Sequence, residues 1–257
     1  MILFKIQAGL GNQLFQWAYS FCLSKQHNVL YDINFYRYQH LNKGVSARSF
    51  ELGKIINYPI NFIDGAGYNK FNSQEITQIR DEFVFKKQPL REDCHYYFDG
   101  YWQDERYFIS HGNEIKNLIK LPNVNNYNFK DSCSMHVRRD DYLNNPNLHP
   151  IQPVSYYQKA LSIIKPKGKI YIFSDDIEWC KKNLKVENSI FVSDNTDIMD
   201  LSIMSKCENN ICANSSFSWW AAWLNNNPNK KIICPKIWTG NSGPKDYNIT
   251  PKEWIKI

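Results

Sequence analysis

The sequence lacks the features that hold together very small or metal-dependent folds. Its 257 residues include seven cysteines, an odd number, and no Cys-x-x-Cys pair. No histidine stands at metal-ligand spacing from a cysteine, which argues against a zinc site and a disulfide framework. We therefore expect seven reduced thiols.

Long apolar runs are also missing. The longest, around 218–224, is far below the roughly 20 residues that cross a bilayer, and only four residues precede Lys5, too few for a signal-peptide core. These absences predict a cytoplasmic protein whose contact with membranes is at most peripheral.

Charge of one sign is not concentrated anywhere. Lysine and arginine number 31 against 25 aspartates and glutamates, a net charge of +6, without long basic runs. This balance favours small anionic ligands and argues against a dedicated nucleic-acid binder. Because 43% of the residues are hydrophobic, the chain can bury a large core and is no disordered tail.

Apolar segments alternate between strand and helix spacing along the chain. Strands are predicted over 2–8, 28–33, 133–137, 169–173, 189–192, 210–213 and 231–235, and helices over 14–25, 153–164, 177–184, 197–206 and 218–224. This alternation predicts an α/β fold with parallel sheets and helices on both faces. An asparagine-rich segment with Pro122, over 121–129, is a predicted linker.

A Gly-x-Gly segment follows the first predicted strand. Gly9 and Gly11 stand in a predicted tight turn, and Asp32 lies about 20 residues further on, as a ribose-binding acid would. The third glycine of the dinucleotide fingerprint is missing. Three interpretations remain open: a dinucleotide site, a looser ligand-binding loop with Asn12 and Gln13 as hydrogen-bond donors, and a turn without a ligand.

Two adjacent arginines after the predicted strand 133–137 are the strongest candidate for an anion site. The segment 136–142 reads HVRRDDY, and the planar guanidinium of arginine matches phosphate oxygens. If strand geometry continued, Arg138 would lie on the side of His136 and Arg139 on the opposite side. We expect Arg138 to bind phosphates and Arg139 to form an ion pair that holds the turn; a solvated salt-bridge cluster is the alternative.

Paired carboxylates invite comparison with metal-dependent nucleotide-sugar enzymes. Neither the pair at 140–141 nor the pair at 175–176 has the Asp-x-Asp spacing, and the second is typical of a helix N-cap. We therefore expect no metal site.

A serine-rich segment, NSSFSWW over 214–220, follows a predicted strand and begins a helix. Backbone N–H groups and hydroxyls in such a place can bind an anion. Helix capping by Ser216 or Ser218 is the alternative. The tryptophans that follow are expected in the core.

Five blocks in this order resemble the family 11 glycosyltransferases, the bacterial and animal α-1,2-fucosyltransferases. They read GLGNQLFQWA from Gly9, DGYWQ from Asp99, HVRRDDY from His136, FSDD from Phe173 and NSSFSWW from Asn214. The resemblance spans nearly the whole chain, and the arginine block is its most specific part. Similar motifs occur in α-1,6- and protein O-fucosyltransferases.

The resemblance implies a GT-B-like fold, two Rossmann-like halves with a cleft between them. It implies GDP-fucose as donor, a terminal galactose of a glycan as acceptor, inversion at the fucose anomeric carbon, and no metal or other cofactor. On this basis residues 1–125 form the acceptor-side domain and 126–257 the donor-binding domain, whose C-terminal tail we expect to pack back on the first. Polysaccharide or lipopolysaccharide biosynthesis, with peripheral contact to a lipid-linked acceptor, is the implied setting.

The family's pattern also implies residue roles. Arg138 matches the phosphate-binding arginine, and Asp175 and Asp176 match a segment near the nucleoside. The implied donor-binding residues are Gly11, Asn12, His136, Arg138, Arg139, Asp175, Ser215, Ser216 and Phe217. Arg138 is expected to act in catalysis as well as in binding.

The general base is not part of the resemblance. Asp141 is the first candidate because it sits beside the arginines, and Asp104 and Glu105 are rivals. Asp140 departs from the family, which often has glycine there, so it either weakens donor binding or turns outward. Three other functions remain open: a nucleotide- or sugar-binding protein without turnover, a dinucleotide-dependent oxidoreductase, and a related transferase of the same fold with another donor sugar.

Overall fold

The computed structural model describes residues 1–41, 47–244, 247 and 249–257. The chain divides into two compact units, Met1–Lys120 and Leu121–Ile257, and the division falls at the beginning of the predicted linker. Each unit contains a sheet whose neighbouring strands are parallel. The predicted α/β class with parallel sheets is therefore confirmed.

The first unit is built on four strands in the order β2-β1-β4-β3. Its elements are β1 (Ile2–Lys5), α1 (Leu10–Ser24), β2 (Val29–Asp32), α2 (Asn34–Tyr38), α3 (Leu52–Ile55), α4 (Gly65–Asn72), β3 (Ile76–Arg80), β4 (His95–Asp99) and α5 (Gly112–Leu118), with 3₁₀ turns at Gln39–Leu41, Glu105–Tyr107 and Ile109–His111. The central strands β1 and β4 run side by side, with Ile2 opposite Tyr96 and Phe4 opposite Phe98.

Aromatic side chains fill the core of this unit. Phe4 stacks on Phe98 with 5.2 Å between ring centroids, and Tyr19 lies 5.4 Å from Trp102 and 4.5 Å from Tyr107. All five side chains are buried. The aromatic-rich segment that begins at Tyr96 thus serves mainly to bury apolar surface, which is the dominant favourable contribution to folding.

The predicted tight turn over 9–13 is wrong, because α1 begins at Leu10. The chain reverses one residue earlier, at Ala8, whose φ of 66° is left-handed. Gly9 is the N-cap, in an extended conformation, and its carbonyl accepts the N–H groups of Asn12 and Gln13 at 3.0 Å each. Gly11 and Asn12 therefore lie in the first turn of a helix and not in a loop.

Gly100 follows β4 where another segment passes very close. A Cβ at this position would lie 2.1 Å from Cβ of Asp81 and 3.0 Å from its backbone nitrogen. The close approach lets one oxygen of Asp81 accept the backbone N–H groups of Tyr101 and Trp102, at 3.1 and 2.7 Å. Only glycine leaves room for this arrangement.

Gly100→Ala is expected to lower the free energy of unfolding by about 1–3 kcal/mol, because overpacking forces the backbone at Asp81 to move. Urea denaturation measures the effect. Gly65→Ala is the matched control, since a Cβ there meets nothing within 4 Å, and it should change stability by no more than about 1 kcal/mol. Equal midpoints for the two variants would contradict the close approach.

The second unit contains six strands in the order β10-β9-β8-β5-β6-β7. Its elements are β5 (Cys133–Val137), α6 (Asp140–Leu143), α7 (Val154–Ile164), β6 (Ile170–Ser174), α8 (Ile177–Asn183), β7 (Ser189–Phe191), α9 (Asp197–Lys206), β8 (Asn209–Ile211), α10 (Ser216–Leu224), β9 (Ile232–Cys234) and β10 (Ile255–Lys256). The predicted strands and helices of this part of the chain are confirmed to within two residues at their ends.

Helices cover both faces of this sheet, as predicted. Alternate residues of β5, Cys133, Met135 and Val137, join the apolar core formed with α7 and α8. The intervening residues face the other side, where Asn210 donates to Ser134 at 2.7 Å and to the carbonyl of Met204 in α9 at 2.8 Å. The strand therefore has a buried apolar face and a buried polar face.

The C-terminal segment extends the sheet of the second unit. Ile255 and Lys256 of β10 pair in parallel with Ile233 and Cys234 of β9. Trp254, just before this strand, lies 5.5 Å from Trp219, and the indole N–H of Trp219 donates to the carbonyl of Ile249 at 2.8 Å. All three tryptophans of α10 are buried, as expected: Trp219, Trp220 and Trp223.

All seven cysteines are free thiols, in agreement with the sequence-based expectation. Five of them are buried in the second unit: Cys133, Cys180, Cys207, Cys212 and Cys234. Burial raises the pKa of each of these thiols. They act as small apolar side chains of the core.

Candidate active site at the carboxyl edge of the second sheet

The second sheet has a topological switch point beside β5. The chain passes from β5 to β6 and β7 on one side, then crosses over to β8 and β9 on the other. In open parallel sheets, ligands bind outside the carboxyl ends of the strands at such a point. Three predicted motifs leave the sheet at this edge: the arginine block after Val137, the aspartate pair after Ser174, and the serine segment after Ile211.

Arg138 is held between two carboxylates. Its terminal nitrogens lie 2.7 Å from Asp141 and 3.0 Å from Asp175, and 18% of its side chain is exposed. Burial alone would lower the pKa of the guanidinium, but Asp175 and Asp141 outweigh it, and the net pKa lies above the ordinary value. The side chain also lies over the ring of Tyr142, 5.4 Å from its centroid. A permanent, oriented positive charge therefore sits at the switch point.

Arg139 forms the predicted ion pair, with Nε 3.0 Å from Asp176. Its guanidinium also lies 3.9 Å over the ring of Trp179, and the other oxygen of Asp176 accepts the backbone N–H of Trp179 as the N-cap of α8. These contacts fasten the end of β5 to the beginning of α8.

Strand geometry does not continue through the arginine pair, so the condition for placing the two arginines on opposite sides is not met. β5 ends at Val137, and α6 begins at Asp140. Arg139 leaves the strand path with φ −140° and ψ −59°, and its backbone N–H donates to Asp175 at 2.9 Å. The turn brings the carboxylate of Asp141 onto Arg138, a contact that period-two extrapolation does not give.

Three carboxylates pair with the two guanidiniums of this cluster: Asp141 and Asp175 with Arg138, and Asp176 with Arg139. Asp140 is exposed at the start of α6, which fits the outward-turned alternative. Burial raises the pKa of Asp175, and Arg138 opposes this. An anion that binds here must therefore compete with Asp141 and Asp175 for the guanidinium.

His136 contributes a neutral, buried imidazole. Burial, with a further contribution from the charge of Arg138, lowers the pKa of His136 to about 3. Its Nδ1 has no hydrogen-bond partner among the described residues. The ring meets Phe217 edge to face, 5.7 Å between centroids. The end of β5 is thus in contact with the first turn of α10.

Ser215 is the N-cap of α10, and its side chain forms no capping hydrogen bond. Capping by Ser216 or Ser218 is therefore wrong. Ser216 lies inside the helix, and the hydroxyl of Ser218 donates backwards, to the carbonyls of Ala213 and Ser215 at 3.3 and 3.2 Å. The positive end of the helix dipole remains beside His136.

Tyr142 links the arginine block to the serine segment, a role that the sequence did not assign. Its hydroxyl donates to the carbonyl of Asn214 at 2.8 Å, and the side chain of Asn214 donates to the carbonyl of Trp238. His149 stacks on Tyr142 with 4.5 Å between centroids and 16° between planes, and burial lowers its pKa. Tyr142 is the last residue of the HVRRDDY block, whereas no motif in the sequence pointed to His149.

In the first unit, the side-chain amides of Asn12 and Gln13 in α1 form hydrogen bonds within the protein. Gln13 is fully buried and donates to the carbonyls of Ala8 and Ser49, at 3.0 and 2.7 Å, so its predicted role as a ligand donor is wrong. The side-chain oxygen of Asn12 accepts a hydrogen bond from the side-chain amide of Gln103. Gly11 is buried.

The other acidic candidates of the first unit also have partners. Asp32 accepts hydrogen bonds from the backbone N–H of Asn34 and the hydroxyls of Tyr68 and Tyr97. Asp104, a rival general base, is bound by the guanidinium of Arg106 and caps a 3₁₀ turn.

Among the residues that the structure describes, no group of three or more His, Cys, Asp or Glu side chains is placed to hold a metal ion. No described helix is both long enough and apolar enough to span a bilayer.

Comparison with known proteins gives full-length matches. The family model "Glycosyl transferase family 11" matches residues 4–257. An alpha-1,2-colitosyltransferase of Escherichia coli is 30% identical, over 100% of this chain and 99% of its own length. The O-antigen biosynthesis glycosyltransferase WbnK of Escherichia coli is 29% identical, over 98% and 99%.

The fold has a counterpart among solved structures. The fucosyltransferase NodZ from Bradyrhizobium superposes with a TM-score of 0.51 at 12% identity, over 86% of this chain and 91% of that one. The family match over nearly every residue, together with the full-length relatives, shows that this chain belongs to glycosyl transferase family 11.

Proposed function

We propose that this glycosyltransferase moves L-fucose from GDP-fucose to the 2-hydroxyl of a terminal galactose in a glycan, with inversion and without a metal. Membership in family 11 supports glycosyl transfer, and the α-1,2 linkage named for the colitosyltransferase relative supports the 2-hydroxyl as acceptor. Colitose is fucose without its 3-hydroxyl, so GDP-colitose is the second candidate donor.

One observation carries the proposal: Arg138 and the N-terminus of α10 lie at the same carboxyl edge of the sheet. Contacts join them through His136 and Phe217, and through Tyr142 and Asn214. When the bond to GDP breaks, negative charge develops on the pyrophosphate. A preorganised guanidinium and the positive end of a helix stabilise that charge.

The chemical step is an in-line displacement. The 2-hydroxyl oxygen of galactose bonds to C1 of the sugar, and the bond from C1 to the β-phosphate oxygen breaks, with its electron pair leaving on GDP. The hydroxyl proton passes to a general base, for which Asp141 remains the first candidate. Attack from the face opposite GDP inverts the configuration at C1.

The accompanying domain roles and setting are part of the proposal. The GT-B-like arrangement would have the first domain, 1–125, bind the acceptor, and the second, 126–257, bind the donor. The O-antigen function named for WbnK supports a lipopolysaccharide acceptor, and the net charge of +6 favours peripheral contact with anionic membranes that carry lipid-linked glycans.

The alternatives have less support. The oxidoreductase interpretation assigns Asp32 to a ribose, but that carboxylate is buried and already accepts three hydrogen bonds. A binding protein without turnover would bind GDP and never release it from the donor in response to an acceptor.

Release of GDP in response to an acceptor distinguishes the transferase from a binding protein without turnover. We expect EDTA-treated protein to release GDP from GDP-fucose slowly alone and much faster with lactose. A parallel reaction with GDP-colitose reports the donor preference. GDP binding without release in the presence of any β-galactoside would favour the binding protein. Loss of activity in EDTA, restored by Mg²⁺ or Mn²⁺, would contradict the metal-free mechanism.

A further inference from the structure

The first sheet has a topological switch point of its own, and the proposed chemical step assigns no residue there. β1 and β4 are neighbours at the centre of the sheet, with β2 outside β1 and β3 outside β4. The carboxyl ends of β1 and β4 therefore border a place where ligands of open parallel sheets bind. Lys5 is the last residue of β1, and Asp99 is the last residue of β4.

A charged and polar group occupies that place. The ammonium of Lys5 lies 3.0 and 3.2 Å from the two oxygens of Asp99, and the side-chain amide of Gln7 donates to the same carboxylate at 3.3 Å. The side chain of Asp99 is 36% exposed. Because a carboxylate has about four acceptor positions, it can still accept hydrogen bonds from the hydroxyls of a ligand.

Two half-buried tyrosines stand beside this group. Burial raises the pKa of Tyr101, and the charge of Asp99 adds to the effect. Burial likewise raises the pKa of Tyr36, with a further contribution from Tyr101. Both phenols therefore stay protonated at neutral pH, and Tyr101 follows Asp99 in the chain with only Gly100 between them.

The backbone holds these tyrosines in place. The hydroxyl of Tyr36 donates to the carbonyl of Ala8 at 2.9 Å, and the backbone N–H of Tyr101 donates to Asp81. Gln16 accepts the backbone N–H of Gln7 at 3.0 Å and donates to the carbonyl of Gly100 at 2.8 Å, which fixes the two strand exits side by side. The cluster is therefore preorganised without a ligand.

We propose that Asp99, Gln7 and Tyr101 bind the galactose of the acceptor at this edge of the first sheet. A sugar presents hydroxyls, which hydrogen-bond to planar polar side chains, and an apolar ring face, which packs on an aromatic side chain. Binding sites for small molecules typically combine a small number of convergent polar groups with aromatic side chains. The inference rests on the proposed function for the identity of the sugar.

Binding of methyl β-D-galactoside to the full chain tests it, by saturation-transfer NMR, with GDP titrated in parallel. Asp99→Asn should weaken galactoside binding about 10- to 100-fold, because it removes hydrogen bonds to a charged acceptor. Gln7→Ala and Tyr101→Phe should weaken it less. GDP affinity should not change in any of them.

Asp93→Asn and Tyr38→Phe are matched controls in the same unit. Asp93 is exposed and paired with Arg91, and the ring of Tyr38 is 56% exposed; both variants should bind the galactoside like the wild type. Should Asp99→Asn fail to fold, Gln7→Ala decides alone. Absence of saturable galactoside binding by the wild type, or unchanged binding in the folded variants, overturns the assignment.

Failure of the proposed function gives a different result. Galactoside binding that depends on Asp99, with no acceptor-stimulated release of GDP, keeps this site and rejects the transfer. Acceptor-stimulated release with an unchanged KM for lactose in Asp99→Asn keeps the transfer and rejects the site.

Discussion

Arg138→Ala is expected to lower the rate of sugar transfer about 100- to 1,000-fold, the loss that follows removal of one preorganised donor of about 2.7–4 kcal/mol. Arg138 is the guanidinium at the switch point, and in the free protein it faces Asp141 and Asp175. Without Arg138, the negative charge that develops on GDP is exposed to the carboxylates of Asp141 and Asp175. No guanidinium is left at this position to neutralise it. GDP binding should weaken as well.

The measurement is steady-state release of GDP from GDP-fucose, together with GDP binding by calorimetry. The variant removes the guanidinium partner of Asp175, whose side chain is 16% exposed, so the urea midpoint should fall as well. Rates are therefore compared under conditions in which each variant is folded. Arg91→Ala, at an exposed site, is the matched control and should keep full activity.

Arg138→Lys separates charge from geometry. Lysine keeps the charge but loses the planar fork, so its rate should lie between those of the alanine variant and the wild type. Full activity in Arg138→Ala would show that the phosphate binds elsewhere and would remove the main support for the site.

Periodicity and motif order were sufficient to predict five of the six strands of the second sheet and the three motifs that leave it at its carboxyl edge, but not β10. The strands of parallel sheets are buried and apolar, so β5 and β6 stand out in the sequence, and parallel strands necessarily bring their carboxyl ends together. The predicted ion pair of Arg139 followed from a requirement that the turn be held.

Tertiary partners were not predictable in the same way. Gln13 looked like a ligand donor because it follows a glycine pair. Its side-chain amide instead donates a hydrogen bond to the backbone carbonyl of Ser49, which lies far away in the sequence. The turn at Ala8 was misplaced because alanine rarely adopts a left-handed φ. His149 meets Tyr142 only because α6 and the loop after it fold back, which no local pattern records.

Asp141→Asn is expected to change binding and catalysis in opposite directions. The Asp141 carboxylate, 41% exposed, holds Arg138 in the free protein and competes with phosphate for it. An ion pair of this exposure contributes about 0.2–1 kcal/mol, so removal of the charge should tighten GDP binding up to about fivefold. Loss of the general base should lower kcat about 10²- to 10⁴-fold.

Asp140→Asn supplies the matched control because it removes a neighbouring charge that is exposed at the start of α6. It should tighten GDP binding slightly and leave kcat unchanged, so the loss in Asp141→Asn would not be a general effect of charge. If kcat of that variant stays near the wild-type value while GDP binds more tightly, Asp141 only positions Arg138, and another group must accept the proton of the galactose hydroxyl. Asp104, which pairs with Arg106 much as Asp141 pairs with Arg138, and Glu105 are then the remaining candidates.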